Sequence, residues 1–230
     1  MSDTRRDELA ENLGKIKARV AKAATQSGRK VEEITLVVVT KTFPVSDAQL
    51  LYELGERNFG ENRNEEGSAK KELVGPDVMW HFQGQIQSKK IRHIAQWANV
   101  VHSLDSVDHA RKFTEMPKAK DLKFFVQLNL EPSRVDRGGV SVAGLPDFLE
   151  EVAGLNSIDV IGLMTVAPLD IAPREAFQEV AEAKNLVQKN YPSITQLSIG
   201  MSGDFEEAIA CGATHIRIGS SILGSRPPQA

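Results

Sequence analysis

The stretch LSIGMSGDFEEAIACGATHIRIGSSILGSR, residues 197–226, reads as two strand-to-helix turns in succession. Residues 197–199 form a short apolar strand, and 200–203 form a turn of small residues around Met201. Residues 204–211 are a helical run with acids in its first turn and Gly212 as its stop. Residues 215–218 are a second strand, which Gly219-Ser220-Ser221 turns into a further helix. Each turn presents backbone N–H groups that the following helix leaves unpaired, an arrangement that favours an anion such as phosphate. In a (β/α) barrel the loops after the last two strands are the usual phosphate cradle. A single turn of this kind is more simply a tight α/β connection. Two in tandem with Arg217 between them point to an anion site.

Upstream, the alternation of strand and helix continues. Residues 4–27 carry Leu9, Leu13, Ile16 and Val20 on one stripe, which predicts a long helix capped by Thr4 and ended by Gly28. It precedes the first strand and is expected to cover the bottom or flank of a barrel. ITLVVVT at 34–40 is nearly all β-branched and apolar, as in a strand buried on both faces. Lys41 follows it, Pro44 breaks it, and Ser46 is the expected cap of a helix running to Leu54. Further strands are expected at 57–59, 78–82, 99–103, 122–130 and 158–164, with helices after each. Eight strands, each followed by a helix, over ~200 residues fit a single (β/α)8 barrel of the TIM type with an extra N-terminal helix. No linker-like segment divides the chain, so one domain spanning 1–230 is expected.

The 230 residues are 41% hydrophobic and 26% charged, ordinary for a globular protein. A net charge of -3 gives no cationic field to attract nucleic acid. The single cysteine, Cys211, excludes an internal disulfide and fits a reducing compartment. The polar start MSDTRRDE and the lack of a long apolar run predict a cytoplasmic protein without membrane partners.

Lys41 is the first candidate for chemistry, since barrel enzymes place working residues where a strand ends. In a dry mouth its amine loses its proton more readily and can attack a carbonyl to form an imine. The alternative is a snorkelling lysine whose head reaches water. Arg217 alternates with Ile216 and Ile218 and so points to the opposite face, either into the mouth or into a structural ion pair with an acid. His81 and Asn62 follow short strands and are either mouth residues or satisfied loop residues. The basic run SKKIRH at 88–93 reads as a solvated helix face. No metal-ligand spacing, GxGxxG or Walker pattern is present.

KTFP after the β-branched strand, FGEN at 59–62, WHFQGQIQSKK at 80–90, GLM at 162–164, GMSGDFEEAI at 200–209 and IRIGSSILGSR at 216–226 occur together and in order. This set resembles the YggS/PROSC family of pyridoxal phosphate (PLP) homeostasis proteins over essentially the whole chain. The resemblance implies a barrel like the N-terminal domain of alanine racemase. It implies that Lys41 forms the aldimine with PLP, that Ser202, Gly219 and Ser220 hold the phosphate, and that Arg217 faces the pyridine nitrogen. Asn62, Met201 and Gly203 complete the implied cofactor-binding set. Departures from the commoner pattern lie at 83–90, where QGQIQSKK replaces IGPLQSNK, and at 133–139, where SRVDRGG replaces a shorter turn; they bear on loop shape and partner contacts. Ser220 stands for a frequent threonine and keeps the hydroxyl.

An arginine has donors only, so at the pyridine nitrogen it keeps that atom unprotonated and the ring a weak electron sink. Two functions follow from the resemblance. One is a non-catalytic carrier that holds PLP on Lys41 and passes it to PLP-requiring apo-enzymes, with a monomer expected. The other is a PLP-dependent amino-acid racemase, which needs a second acid/base, a tyrosine from an extra domain. The chain ends at Ala230 and both Tyr52 and Tyr191 fall in or beside helices, so the carrier is expected. A third reading is a Schiff-base aldolase that uses Lys41 on a phosphorylated sugar.

Overall fold

The computed structural model describes residues 2–117, 121–131, 133 and 137–225. Arg226, the end of the stretch quoted first, and 134–136 of the variant loop at 133–139 lie outside the described residues. The strands are β1 (Thr35–Val39), β2 (Asn58–Glu61), β3 (Met79–Phe82), β4 (Val100–Leu104), β5 (Lys123–Asn129), β6 (Val140–Ser141), β7 (Asp159–Met164), β8 (Gln196–Ser198) and β9 (His215–Ile218). Eight of them close a ring in the order β1-β2-β3-β4-β5-β7-β8-β9, every pairing parallel, with β9 returning to β1. This is the expected TIM-type barrel. The two-residue β6 was not expected; it pairs outside the ring, with Leu128 and Asn129 of β5.

The helices are α1 (Ser2–Gln26), α2 (Val45–Glu53), α3 (Asn64–Leu73), α4 (Ile91–Trp97), α5 (Val107–Thr114), α6 (Leu145–Ala153), α7 (Pro173–Val187), α8 (Phe205–Ala210) and α9 (Ser220–Leu223). A 3-10 turn over Ser88–Lys90 leads into α4. Strand side chains alternate between two faces. Val38, Phe59, Trp80, Ile216 and Ile218 join the helices in the large apolar core, while Val100, Phe125 and Met164 form a small separate cluster. The first set faces the helices and the second faces the barrel interior.

α1 lies on the flank, against α2, α8 and α9. Its stripe of Leu9, Leu13, Ile16 and Val20 is buried, as its periodicity predicts. Two expected caps are corrected. Thr4 lies inside α1, which already runs from Ser2. Ser46 lies inside α2, because Pro44 is the flanking residue at φ -66° and ψ 159°. Proline fixes φ there, and the helix begins at Val45, one residue before Ser46.

Candidate functional site

The mouth of the barrel holds a cavity of about 360 Å³, within the range of small-ligand sites. Lys41, Asn62, Met201, Ser202, Gly203, Arg217, Gly219 and Ser220 all line it. The sequence reading missed the apolar wall, made chiefly by Val39, Phe43 and Met164. Val39 and Met164 are the last residues of β1 and β7, and Phe43 lies in the turn after β1.

Lys41 sits between two pinned residues. Before it, buried Thr40 donates its hydroxyl to Glu61 Oε1 (2.6 Å) and its carbonyl accepts from Lys70 Nζ (2.7 Å). Lys70 Nζ also meets Glu61 Oε1 at 2.6 Å, an ion pair closed off from water. Burial raises the Glu61 carboxyl pKa, against the pull of Lys70. After Lys41, Thr42 takes φ +68° and donates its N–H to Glu66 Oε2 (2.7 Å). A β-branched residue in the left-handed region is strained, so the surrounding bonds must hold it there. Lys41 therefore leaves a rigid strand end directly into the cavity wall.

The two turns of the opening stretch meet across the cavity from this strand end. Gly200 has φ +91°, and a Cβ there would lie 2.5 Å from Ala208 Cβ, so only glycine fits. The Gly200 carbonyl accepts from Arg217 N (2.9 Å), tying one turn to the next strand. Asp204 Oδ1 accepts from Met201 N at 2.6 Å, and burial raises the Asp204 carboxyl pKa. Ser220 donates its hydroxyl to Ser202 Oγ at 3.4 Å, which brings the turns side by side. The N–H groups of Ser202, Gly203 and Gly219 donate in none of the hydrogen bonds among the described residues. α8 and α9 have six and four residues, so the turn's own N–H and O–H groups, more than a long helix dipole, would receive an anion.

Arg217 is buried and bonded only to neutral oxygens: Ser198 O (2.6 Å), Ser198 Oγ (2.7 Å) and Thr165 O (2.8 Å). No ion pair with an acid is found among the described residues, so the alternative of a structural ion pair does not hold. Burial lowers its pKa to about 10, with Asp204 pulling weakly the other way. Three of its five N–H groups are engaged, leaving two donors of a desolvated cation beside the cavity. His81 is corrected: it lies within β3 and points into the barrel, bonded to His102 and Asn58, away from the mouth. Asn62, directly after β2, does reach the cavity. The segment at 88–93 forms the 3-10 turn and the first residues of α4, with Ile91 buried and its basic residues outside the cavity. Groups of three or more metal-ligating side chains are absent among the described residues. No helix among them is long and apolar enough to cross a membrane.

The family model for the alanine racemase N-terminal domain matches residues 11–227. The pyridoxal phosphate homeostasis protein of Mycobacterium leprae is 35% identical over 96% of this chain and 93% of its own. The chain belongs to the family of pyridoxal phosphate homeostasis proteins. Among solved structures of similar proteins, PipY of Synechococcus elongatus PCC7942 has a TM-score of 0.81 and 30% identity, covering 94% of this chain and all of its own; it has been solved with PLP bound. Alanine racemase of Corynebacterium glutamicum shares the fold at a TM-score of 0.72 and 17% identity, over 96% of this chain and 61% of the racemase. This chain and the racemase thus share one barrel, and more than a third of the racemase lies outside the matched region.

Proposed function

We propose that this protein binds PLP at the barrel mouth and serves intracellular PLP homeostasis without catalytic turnover. Lys41 holds the aldehyde carbon as an aldimine. The turns carrying Met201, Ser202, Gly203, Gly219 and Ser220 take the phosphate, Arg217 meets the pyridine nitrogen, and Asn62 borders the ring. The observation that carries this reading is the meeting, in one cavity, of a lysine at the rim of β1 with two hydroxyl-bearing turns and a guanidinium that has donors to spare. The cofactor supplies the reactive carbonyl; the protein supplies attachment, orientation and charge.

Racemisation needs an acid/base on each side of the substrate. Among the described lining residues, Lys41 and Arg217 are the only ionisable side chains, and a guanidinium only donates. Tyr52 donates to Asp77 on the surface, and Tyr191 packs against the core beyond α7, so neither serves the cavity. This supports a carrier over a racemase; on that reading the protein yields PLP to apo-enzymes in the cytoplasm. The test is an absorption spectrum of the purified protein before and after borohydride, with mapping of the modified lysine. Reduction should trap the cofactor on Lys41, and Lys41→Ala should lose the visible band. A reducible band surviving in that variant, or sustained racemisation of an amino acid by the pure protein, would overturn the proposal.

A further inference from the structure

Beneath the cavity the barrel interior carries a run of polar side chains. Arg217 Nη1 lies 2.7 Å from Ser198 Oγ, and Ser198 Oγ lies 2.8 Å from His102 Nδ1. His102 Nε2 lies 2.8 Å from His81 Nδ1, and His81 Nε2 lies 3.1 Å from Asn58 Oδ1. Arg217, Ser198, His102 and His81 are buried, and Phe125 stacks on His102 with ring centres 4.6 Å apart. The run crosses the barrel from β9 through β8, β4 and β3 to the first residue of β2.

The partners fix its direction. The Asn58 amide oxygen only accepts, so His81 Nε2 carries a proton. A neutral imidazole has one N–H, so His81 Nδ1 accepts and His102 Nε2 donates to it. His102 Nδ1 then accepts from the Ser198 hydroxyl, and Ser198 Oγ accepts from Arg217, which only donates. Every donor meets an acceptor, provided both rings are neutral. Their burial, and the lack of any carboxylate bonded to either ring among the described residues, keeps them so.

Electrostatics selects the same direction independently. Arg217 is a buried cation bonded to no carboxylate. In this orientation each group turns its negative end toward the guanidinium; in the reverse orientation the N–H of His102 would point toward it. A dry interior makes that difference large.

We propose that Asn58, His81, His102 and Ser198 form one directional hydrogen-bond wire of neutral groups that holds and solvates Arg217. On the PLP reading, on which this second part rests, the wire sets where the guanidinium meets the pyridine nitrogen. His81 and His102 are then positioning residues that never touch the cofactor.

Two measurements test it. In nitrogen-15 labelled protein without cofactor, long-range imidazole NMR spectra at neutral pH should show His81 and His102 as neutral Nε2–H tautomers. Removing the terminal acceptor in Asn58→Leu should release the fixed tautomer of His81. An Nδ1–H tautomer or a charged ring at either position in the wild type overturns the wire. In PLP-loaded protein, Ser198→Ala and His102→Phe should shift the visible absorption maximum and speed cofactor loss roughly tenfold, the equivalent of about one lost hydrogen bond. His81→Phe should act in the same direction more weakly. Folded variants with wild-type spectra and retention overturn the positioning role. If the wild type takes up no PLP, the function reading fails, and the tautomers still decide the wire.

Discussion

Lys41 owes its setting to neighbours that carry much of the local energy. Lys70 and Glu61 form a buried pair that also grips the Thr40 carbonyl. Lys70→Met leaves the Glu61 carboxylate dry and unpaired, which costs about 3–5 kcal/mol near neutral pH. The folded-state pKa of Glu61 already stands above its ordinary value through burial. Its charged form therefore opposes folding, and the deficit of the variant shrinks as pH falls through the raised pKa. Urea unfolding at about pH 7.5 and pH 5 should show the larger loss at the higher pH; a loss that grows toward acid would mean another group is left unpaired. On the other side of the cavity, Ser202→Ala and Ser220→Ala should each weaken PLP retention by about 1.5–3 kcal/mol at most, one charge-assisted hydrogen bond apiece. Unchanged retention in the double variant, measured by dialysis, would leave only backbone N–H groups as phosphate donors. The sequence made Lys41 and the two serine turns legible because they follow strand ends. Glu61 and Lys70 were not legible: Glu61 reads as a turn residue until β2 is seen to reach it, and nothing in the polar run 63–73 marks Lys70 as buried.

α9 is one turn long and too short to hold itself together as a helix. Helix α1 helps to hold it. The carbonyl of Ile222 accepts from Asn12 Nδ2 (3.1 Å) and that of Leu223 from Arg5 Nη2 (3.0 Å). Arg5 also pairs with the buried Asp47 of α2 at 2.6 Å, so α1 links the helix after Lys41 to the turn that carries Ser220. Arg5→Ala removes a donor from α9 and strands Asp47, at a cost of about 1–3 kcal/mol. Hydrogen exchange should speed up at the amides of Ile222, Leu223 and Gly224, which donate to Gly219 and Ser220. If those amides exchange as before, the packing of Ile222 and Leu223 alone holds the turn. The apolar stripe of α1 predicted that it docks, but not against what. Its polar anchors have no periodicity, since they answer to carbonyls more than 200 positions further along the chain.

The ring of eight strands was readable because each βα unit repeats the same change of period, from two residues to 3.6. What the sequence hid was the inside of the ring. Val37 and Val39 face inward and Val38 outward, yet all three are valines, so the run shows no alternation. The interior histidines break the apolar pattern one at a time: His81 reads as a mouth or loop residue, and His102 and His215 fall in expected strands with nothing to mark which face they take. Burial holds His81 and His102 well below the ordinary imidazole pKa and lowers His215 to about 4, each with a smaller contribution from a neighbouring histidine or Arg217. In the unfolded chain the same groups titrate near ~6.5. Between those values the unfolded state binds protons that the folded state refuses, so their contribution to stability is present above ~6.5 and is lost as pH falls. Glu61, Asp105 and Asp204, all raised by burial, act in the opposite sense on acidification, so the total profile mixes two trends. A single substitution separates them. Among the described residues His215 has one side-chain hydrogen bond, to Thr214 Oγ1, and His215→Gln puts a group that never titrates in its place. Relative to the wild type, the variant should gain up to about 1.4 kcal/mol per pH unit as pH falls from ~6.5 toward 4, the slope one excluded proton imposes. Urea unfolding at several pH values across that window gives the difference directly. Parallel profiles for the two proteins would mean that His215 takes up its proton as readily when folded as when unfolded.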